Sequence, residues 1–232
     1  MPYSLETVVV GSACIVSSWK LTPLDVDLNM MPLFHIGGIA RNLFAPVLSG
    51  GAVVSTAGFD PSLFWDTCGP SGVTWYYASP TMHQMILEEG KKRGGGRGAL
   101  PQNRVRMIAN AAGALLPSLA ADMRASFKAT VLPGYGMTEC MPISAPPTSY
   151  ALDRPGTSGI AIGPELAIFD EKGNPVPRRD VGNIVVRGAP LFNGYEGNAE
   201  ATKKSFFPGG WFNTGDLGWM DEDGWVMPRH CQ

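Results

Sequence analysis

Seven consecutive residues, Gly134-Tyr135-Gly136-Met137-Thr138-Glu139-Cys140, combine two glycines, an aromatic ring, a hydroxyl and a carboxylate. A bound nucleotide with its metal ion would use all of them. Glycines let a backbone approach a ligand closely, a tyrosine ring offers a face to a base, and a threonine hydroxyl can donate to a phosphate. A glutamate carboxylate is a hard oxygen donor suited to Mg2+. The same residues are also ordinary turn chemistry after a buried strand, so the rest of the chain has to decide between the two readings.

The elements that would position this loop follow from patterning. Ala52 to Thr56 is β-branched and reads as a strand, and Asp60-Pro61 then gives an N-cap with proline at the first helical position. Val73 to Ala78 (VTWYYA) reads as a second strand, and Ser79-Pro80 opens a helix by the same device. Val105 to Ala109 is a third strand. Pro117 begins a helix whose Leu119, Met123 and Phe127 share one stripe. Strands alternating with helices predict a mostly parallel sheet flanked by helices. After about Arg154 the texture changes to glycine-punctuated strands: Leu166 to Asp170, Asn183 to Arg187 and a piece near Trp225-Val226. The expected organisation is therefore an α/β unit over 1–153 and a smaller β-rich, barrel-like unit over 154–232, joined near the proline-rich SAPPTSYALDRPG.

Length and composition set few limits on function. With 232 residues the chain can bury a sizeable core. A formal charge of -2 gives no bulk electrostatic reason to expect nucleic acid or an acidic membrane as partner. The island Lys91 to Gly98 (KKRGGGRG) lacks phosphate-loop spacing and follows a helix, so it reads as a solvated helix end rather than an RNA contact. Cys14, Cys68, Cys140 and Cys231 show no disulfide or zinc spacing, which makes a reducing, cytoplasmic location the expectation. The apolar stretch Val8 to Trp19 is too short and too rich in small polar residues to span a bilayer.

Several segments, in order and over most of the chain, resemble the adenylate-forming enzymes, which include acyl-CoA synthetases, luciferases and peptide-synthetase adenylation domains. MPLFHIGG (31–38) is similar to the family segment whose histidine sits near the acyl channel. Ala111-Ala112-Gly113-Ala114-Leu115-Leu116 looks like its small-residue turn around adenine, with Ala111 where the family usually has serine. GYGMTEC falls at the family's nucleotide loop, and GAPLFNGYEGNAEATKKSFFPGGWFNTGD resembles the signature of its second unit. The resemblance implies that Ala111, Ala112, Gly113, Gly134, Tyr135 and Gly136 contact the base, that Asp216 accepts the ribose hydroxyls, that Thr138 donates to phosphate and that Glu139 holds Mg2+. It places His35, Gly37 and Tyr77 beside the acid. The implied cofactors are ATP or AMP, Mg2+ and, for a following thioester step, CoA. The bulky Trp75-Tyr76-Tyr77 run suits a short or flat acid, or else is sheet core.

Two family devices have no counterpart in these residues: a Ser/Thr/Gly-rich phosphate loop ending in lysine, and a mobile lid with its own lysine. Two readings follow. One is a truncated, impaired acyl-adenylate-forming ligase acting on a carboxylate and a nucleotide. The other is a non-catalytic nucleotide- or acyl-binding module. Family members also pack a large N-terminal part on the same sheet, so self-association or a protein partner covering exposed sheet is expected here.

Overall fold

The computed structural model describes residues 1–95, 99–110 and 112–229. Five short strands with β-branched and aromatic content form a fully parallel sheet: β1 (Val26–Asn29), β2 (Ala52–Ser55), β3 (Trp75–Ala78), β4 (Met107–Asn110) and β5 (Thr130–Pro133), in the order β2-β1-β3-β4-β5. Alternation of side chains divides its two faces. Leu28, Tyr76, Ile108 and Val131 point to one side, where they pack against Phe64 and Trp65 of α3 (Pro61–Cys68), Ile86 of α4 (Pro80–Arg93), and Met123 and Phe127 of α5 (Pro117–Phe127). Trp75, Tyr77, Met107 and Leu132 point to the other, where α1 (Leu5–Trp19) supplies Ile15 and Trp19 and α2 (Ala45–Leu48) supplies Ala45. Both faces of β3 and β4 are buried, as parallel strands between helical layers must be.

The helix starts follow local chemistry, with one departure from expectation. Asp60 Oδ1 accepts from the Leu63 amide at 2.7 Å, and Pro61 sits in the first turn. Ser79 occupies the corresponding position before Pro80 with extended backbone, but its side chain makes no capping bond. Proline alone, with its fixed φ and missing N–H, serves that start. Helix α1 and strand β1 were not anticipated. Helix α1 is capped by Ser4, whose Oγ accepts from the Thr7 amide at 3.0 Å, and it ends at Lys20 in the left-handed region (φ 50°). No described helix is long and apolar enough to cross a membrane.

Beyond β5 the chain turns into a three-stranded antiparallel sheet of β6 (Tyr135–Met137), β7 (Cys140–Ala145) and β8 (Ile160–Ala161). The β-rich part is a second antiparallel sheet in the order β11-β12-β10-β9: β9 (Glu165–Phe169), β10 (Gly182–Arg187), β11 (Phe206–Phe207) and the long β12 (Trp211–Met220). On the edge of β12 away from β10, its first residues pair with β11 and its last with β13 (Val226–Arg229). A short helix, α6 (Ala199–Lys204), precedes β11. Lys91 to Arg93 form the last turn of α4, where Arg93 is ion-paired to Asp66 and Glu89, while residues 96–98 lie outside the described part. Leu5, Leu24, Leu33, Phe34 and Val47 are exposed.

Candidate functional site

In open parallel sheets, ligands bind in the crevice beyond the carboxyl ends of the strands. Here a cleft of about 420 Å³ opens beyond the ends of β4 and β5. Its walls are Asn110, Ala112, Gly113, Ala114 and Leu115 on one side, Gly134, Tyr135 and Gly136 on another, and Tyr150, Leu152 and Pro155 to Ser158 opposite. Five residues expected to contact a base therefore line one cleft: Ala112, Gly113, Gly134, Tyr135 and Gly136. The sixth, Ala111, lies outside the described residues. Ala112 is held in the left-handed region at φ 58°, a conformation that costs an L-residue roughly 1 to 2 kcal/mol. Gly113 leaves room that a side chain would fill, because a Cβ there would lie 3.1 Å from Pro80. The Asn110 amide donates to the Gly113 carbonyl at 3.0 Å and ties this turn to the end of β4.

Asp216 joins the cleft through Tyr135, whose hydroxyl donates to Asp216 Oδ2 at 2.5 Å. The TGD segment achieves this by distorting β12. Val185 pairs with Asn213 and Asn183 with Leu217, so three residues, Thr214 to Asp216, face Ile184 alone. This bulge needs Gly215 at φ 81°, and it is pinned by Thr214 Oγ1 donating to the Ile184 carbonyl at 2.8 Å and by the Gly215 amide donating to Asn213 Oδ1 at 3.0 Å. Burial, reinforced by the bond to Asp216, pushes the Tyr135 hydroxyl well above its usual pKa, so it remains a donor at all physiological pH.

Thr138 and Glu139 form the two-residue turn between β6 and β7; Thr138 is exposed and Glu139 half-buried. The segment after Gly188 is fastened to this turn. The Phe192 amide donates to the Glu139 carbonyl at 2.8 Å and the Tyr195 hydroxyl donates to Glu139 Oε1 at 2.9 Å, while Phe192 packs among Tyr195, Phe206 and Phe212. Tyr195 thus steadies the carboxylate while leaving Oε2 free of side-chain partners. One hard carboxylate beside an exposed hydroxyl is a donor set that fits Mg2+, which keeps several waters and takes its remaining ligands from phosphates. Among the described residues, no group of three or more His, Cys, Asp or Glu side chains could hold a metal ion by itself.

His35, Gly37 and Tyr77 also come together. The Gly37 amide donates to His35 Nδ1 at 3.0 Å, which leaves the imidazole proton on Nε2. A Cβ at Gly37 would lie 2.9 Å from the Tyr77 ring and 3.1 Å from His35 Nδ1. Tyr77 is also core, as its burial on the α1 face of β3 shows.

Sequence reading missed the residues behind this cluster. Gly37–Phe44 is a π-helix, a form found frequently at functional sites. It carries Arg41, which is fully buried, with its guanidinium over the rings of Trp19 and Tyr77 at 5.5 and 5.0 Å. None of its three side-chain nitrogens has a hydrogen-bond partner among the described residues. Two ring faces return about 0.5 to 2 kcal/mol each, against several kcal/mol for burying an ion. The nearby Asp27 does not compensate it. Its Oδ1 accepts from Asn42 at 3.4 Å, its Oδ2 has no partner, and full burial raises its pKa well above the usual carboxylate range.

Comparison with known proteins bears on the family and the fold. Residues 4–196 match the model of the AMP-binding enzyme family. An oxalate–CoA ligase from Arabidopsis thaliana is 34% identical over 212 residues, covering 90% of this chain and 40% of that protein. ATP-bound MatB from Rhodopseudomonas palustris is similar in fold, with a TM-score of 0.85 at 29% identity, over 96% of this chain and 43% of that one. The o-succinylbenzoate coenzyme A synthetase of Bacillus subtilis, solved with ATP and magnesium ion, gives a TM-score of 0.86 at 26% identity over 97% and 45%. The chain spans about 40% of the length of the curated relatives it matches.

Proposed function

The chain belongs to the AMP-binding enzyme family, and from that premise we propose that it carries the nucleotide and acid sites of an acyl-adenylate-forming ligase. The parent reaction joins a carboxylate to the α-phosphate of ATP with release of pyrophosphate, and then passes the acyl group to the thiol of CoA or of a carrier with release of AMP. The observation that carries this reading is the Tyr135–Asp216 contact at 2.5 Å, which sets a ring face and a two-oxygen acceptor side by side at one cleft. The nucleotide then lies between the α/β unit, 1–153, and the β-rich unit, 154–232.

Each role follows from chemistry. Tyr135 stacks on adenine, and the bare backbones of Gly134, Gly136 and Gly113, with the small Ala112 beside them, let the flat base come close. Asp216 exchanges its tyrosine partner for two ribose hydroxyls, which a carboxylate accepts side by side. Thr138, exposed at the turn, donates to phosphate. Glu139 holds Mg2+, which when bound neutralises charge on the phosphate oxygens. His35, Gly37 and Tyr77 border the acid, and their close packing favours a small one. Oxalate, named for the Arabidopsis relative, is of that scale. Exposed Leu24 and Phe34 support association with a second copy or a protein partner.

A second reading, nucleotide binding with little turnover, is favoured by one observation: among the described residues, no lysine or arginine lines the cleft. Loss of a single preorganised charge-stabilising group typically costs about a hundred- to a thousandfold in rate, so these residues by themselves are expected to exchange pyrophosphate slowly. Calorimetric titration with AMP and with Mg-ATP tests the nucleotide site. Saturable binding that weakens at least about tenfold in Asp216→Ala supports it, and absence of binding by the folded chain contradicts it. ATP–pyrophosphate exchange over a panel of carboxylic acids then separates the two readings, since exchange above background excludes a pure binding module.

A further inference from the structure

We propose that Arg41 binds a second carboxylate, at the far end of the acid, so that this chain prefers short dicarboxylates to monocarboxylates of the same length. The inference rests on the ligase reading and extends it to substrate class. It starts from an arginine with an unused hydrogen-bonding edge. Arg41 is fully buried, Nε, Nη1 and Nη2 are all without partners, and Trp19 and Tyr77 cover its faces. A guanidinium stays protonated in proteins, and buried charges are ordinarily paired. Among the described residues no buried carboxylate neutralises it. Asp25 holds Arg106, Asp221 holds Arg154, and Asp27, bonded weakly to Asn42 through one oxygen with the other unpartnered, is pushed by burial toward its neutral form. The planar fork matches one class of ligand best, a carboxylate taken through two parallel N–H bonds.

Position identifies which carboxylate. A Cβ at Gly134 would touch Arg41 Nη1 at 3.5 Å and one at Gly136 would touch Nη2 at 3.4 Å. Tyr135, between them, turns its ring the other way, to Asp216 and the cleft. The Gly-Tyr-Gly backbone therefore has a nucleotide face and an Arg41 face. A carboxylate reacting with phosphate belongs with Thr138 and Glu139 on the nucleotide side, so the anion that reaches Arg41 is a different one. Tyr77 stands between the two ends of this path, against Gly37 on one side and Arg41 on the other. An acid that reaches the guanidinium from Gly37 must move the Tyr77 ring, which contacts both. The glycines at 134 and 136 add no side chain of their own to the arginine edge, where the Met141 side chain also approaches Gly136.

The full chain is titrated with succinate and with butyrate, with and without saturating AMP. The side-chain Nε–Hε NMR signal of Arg41, assigned by its loss in Arg41→Met, is followed together with the melting temperature. Succinate is expected to shift that signal, to raise the melting temperature and to bind at least about tenfold more tightly than butyrate. Arg41→Lys, which keeps the charge but not the fork, should retain only part of the preference, and folded Arg41→Met none. Equal responses to the two acids, or an Arg41 signal that neither moves, overturn the proposal whether or not AMP binds. If Arg41→Met does not fold, the wild-type signal and Arg41→Lys decide. The AMP titration of the wild-type chain reports separately on the ligase reading.

Discussion

The two sides of the candidate site are built on opposite principles. Beyond β4 and β5 the cleft is open, lined mostly by small or apolar residues and backbone, and the carboxylate joined to it through Tyr135, Asp216, already has a hydroxyl partner. Under the same loop, the region around Arg41 is filled and carries a charge that nothing in the described chain balances. The first side can wait for a ligand at no electrostatic cost, whereas the second gains from one. The contrast extends to a buried carboxylate elsewhere among the described residues, Asp25. Arg106 shares two hydrogen bonds with Asp25, at 2.7 and 2.8 Å, and Asp25 is further bonded by the Thr22 amide and by Thr74 Oγ1, both at 2.9 Å.

Substitutions that break this comparison should differ in sign as well as size. Asp25→Asn is expected to lower stability by about 2 to 3 kcal/mol, less than the loss for a wholly buried pair because Arg106 is 40% exposed. Burial alone would raise the Asp25 pKa, but the bonds from Arg106, Thr22 and Thr74 outweigh it and hold the pKa below its usual value. Its contribution is therefore complete above the unfolded-state pKa of about 3.9 and is lost as pH falls through the lower folded-state value. Urea unfolding of wild type and Asp25→Asn should accordingly differ at neutral pH and converge in strong acid.

Arg41→Met should change stability the other way, raising it by about 1 to 2 kcal/mol, because an unpaired ion is replaced by an apolar side chain between two aromatic rings. The same denaturation series reads this directly, and a clear loss would mean that Arg41 has a partner. Tyr135→Phe keeps the ring and removes the bond to Asp216, with an expected loss of about 1 kcal/mol in stability. Ala112→Gly should be nearly neutral, a gain of about 0.5 kcal/mol, as relief of a left-handed residue offsets the added freedom of glycine in the unfolded chain. Thermal melts of matched samples check both.

Much of the candidate cleft was legible in the sequence because its backbone requirements are local. Gly-Tyr-Gly and the small residues of 112–113 state theirs within a few positions, whereas the bulge at Gly215 was not anticipated. The parallel sheet was legible from alternating strands and helices, although β1 was hidden behind the polar Asp27 and Asn29, and α1 behind its glycine and serines. Gly11 of that helix is needed for contact, since a Cβ there would lie 2.2 Å from the Met141 carbonyl. The acid side was only half legible. The resemblance placed His35, Gly37 and Tyr77 together, but nothing in the local sequence singled out Arg41. Its full burial follows from the packing of α1, β3 and the π-helix, and no local pattern encodes that.

The central claim is that the nucleotide occupies the cleft on the outer face of the Gly-Tyr-Gly backbone and leaves the Arg41 face alone. The most direct test is a backbone and arginine side-chain NMR titration of the chain with AMP. The account predicts large shifts at Gly113, Gly134, Tyr135, Gly136 and Asp216, with the Arg41 side chain unmoved. Shifts confined to the π-helix and its surroundings, with those five residues unaffected, would contradict it.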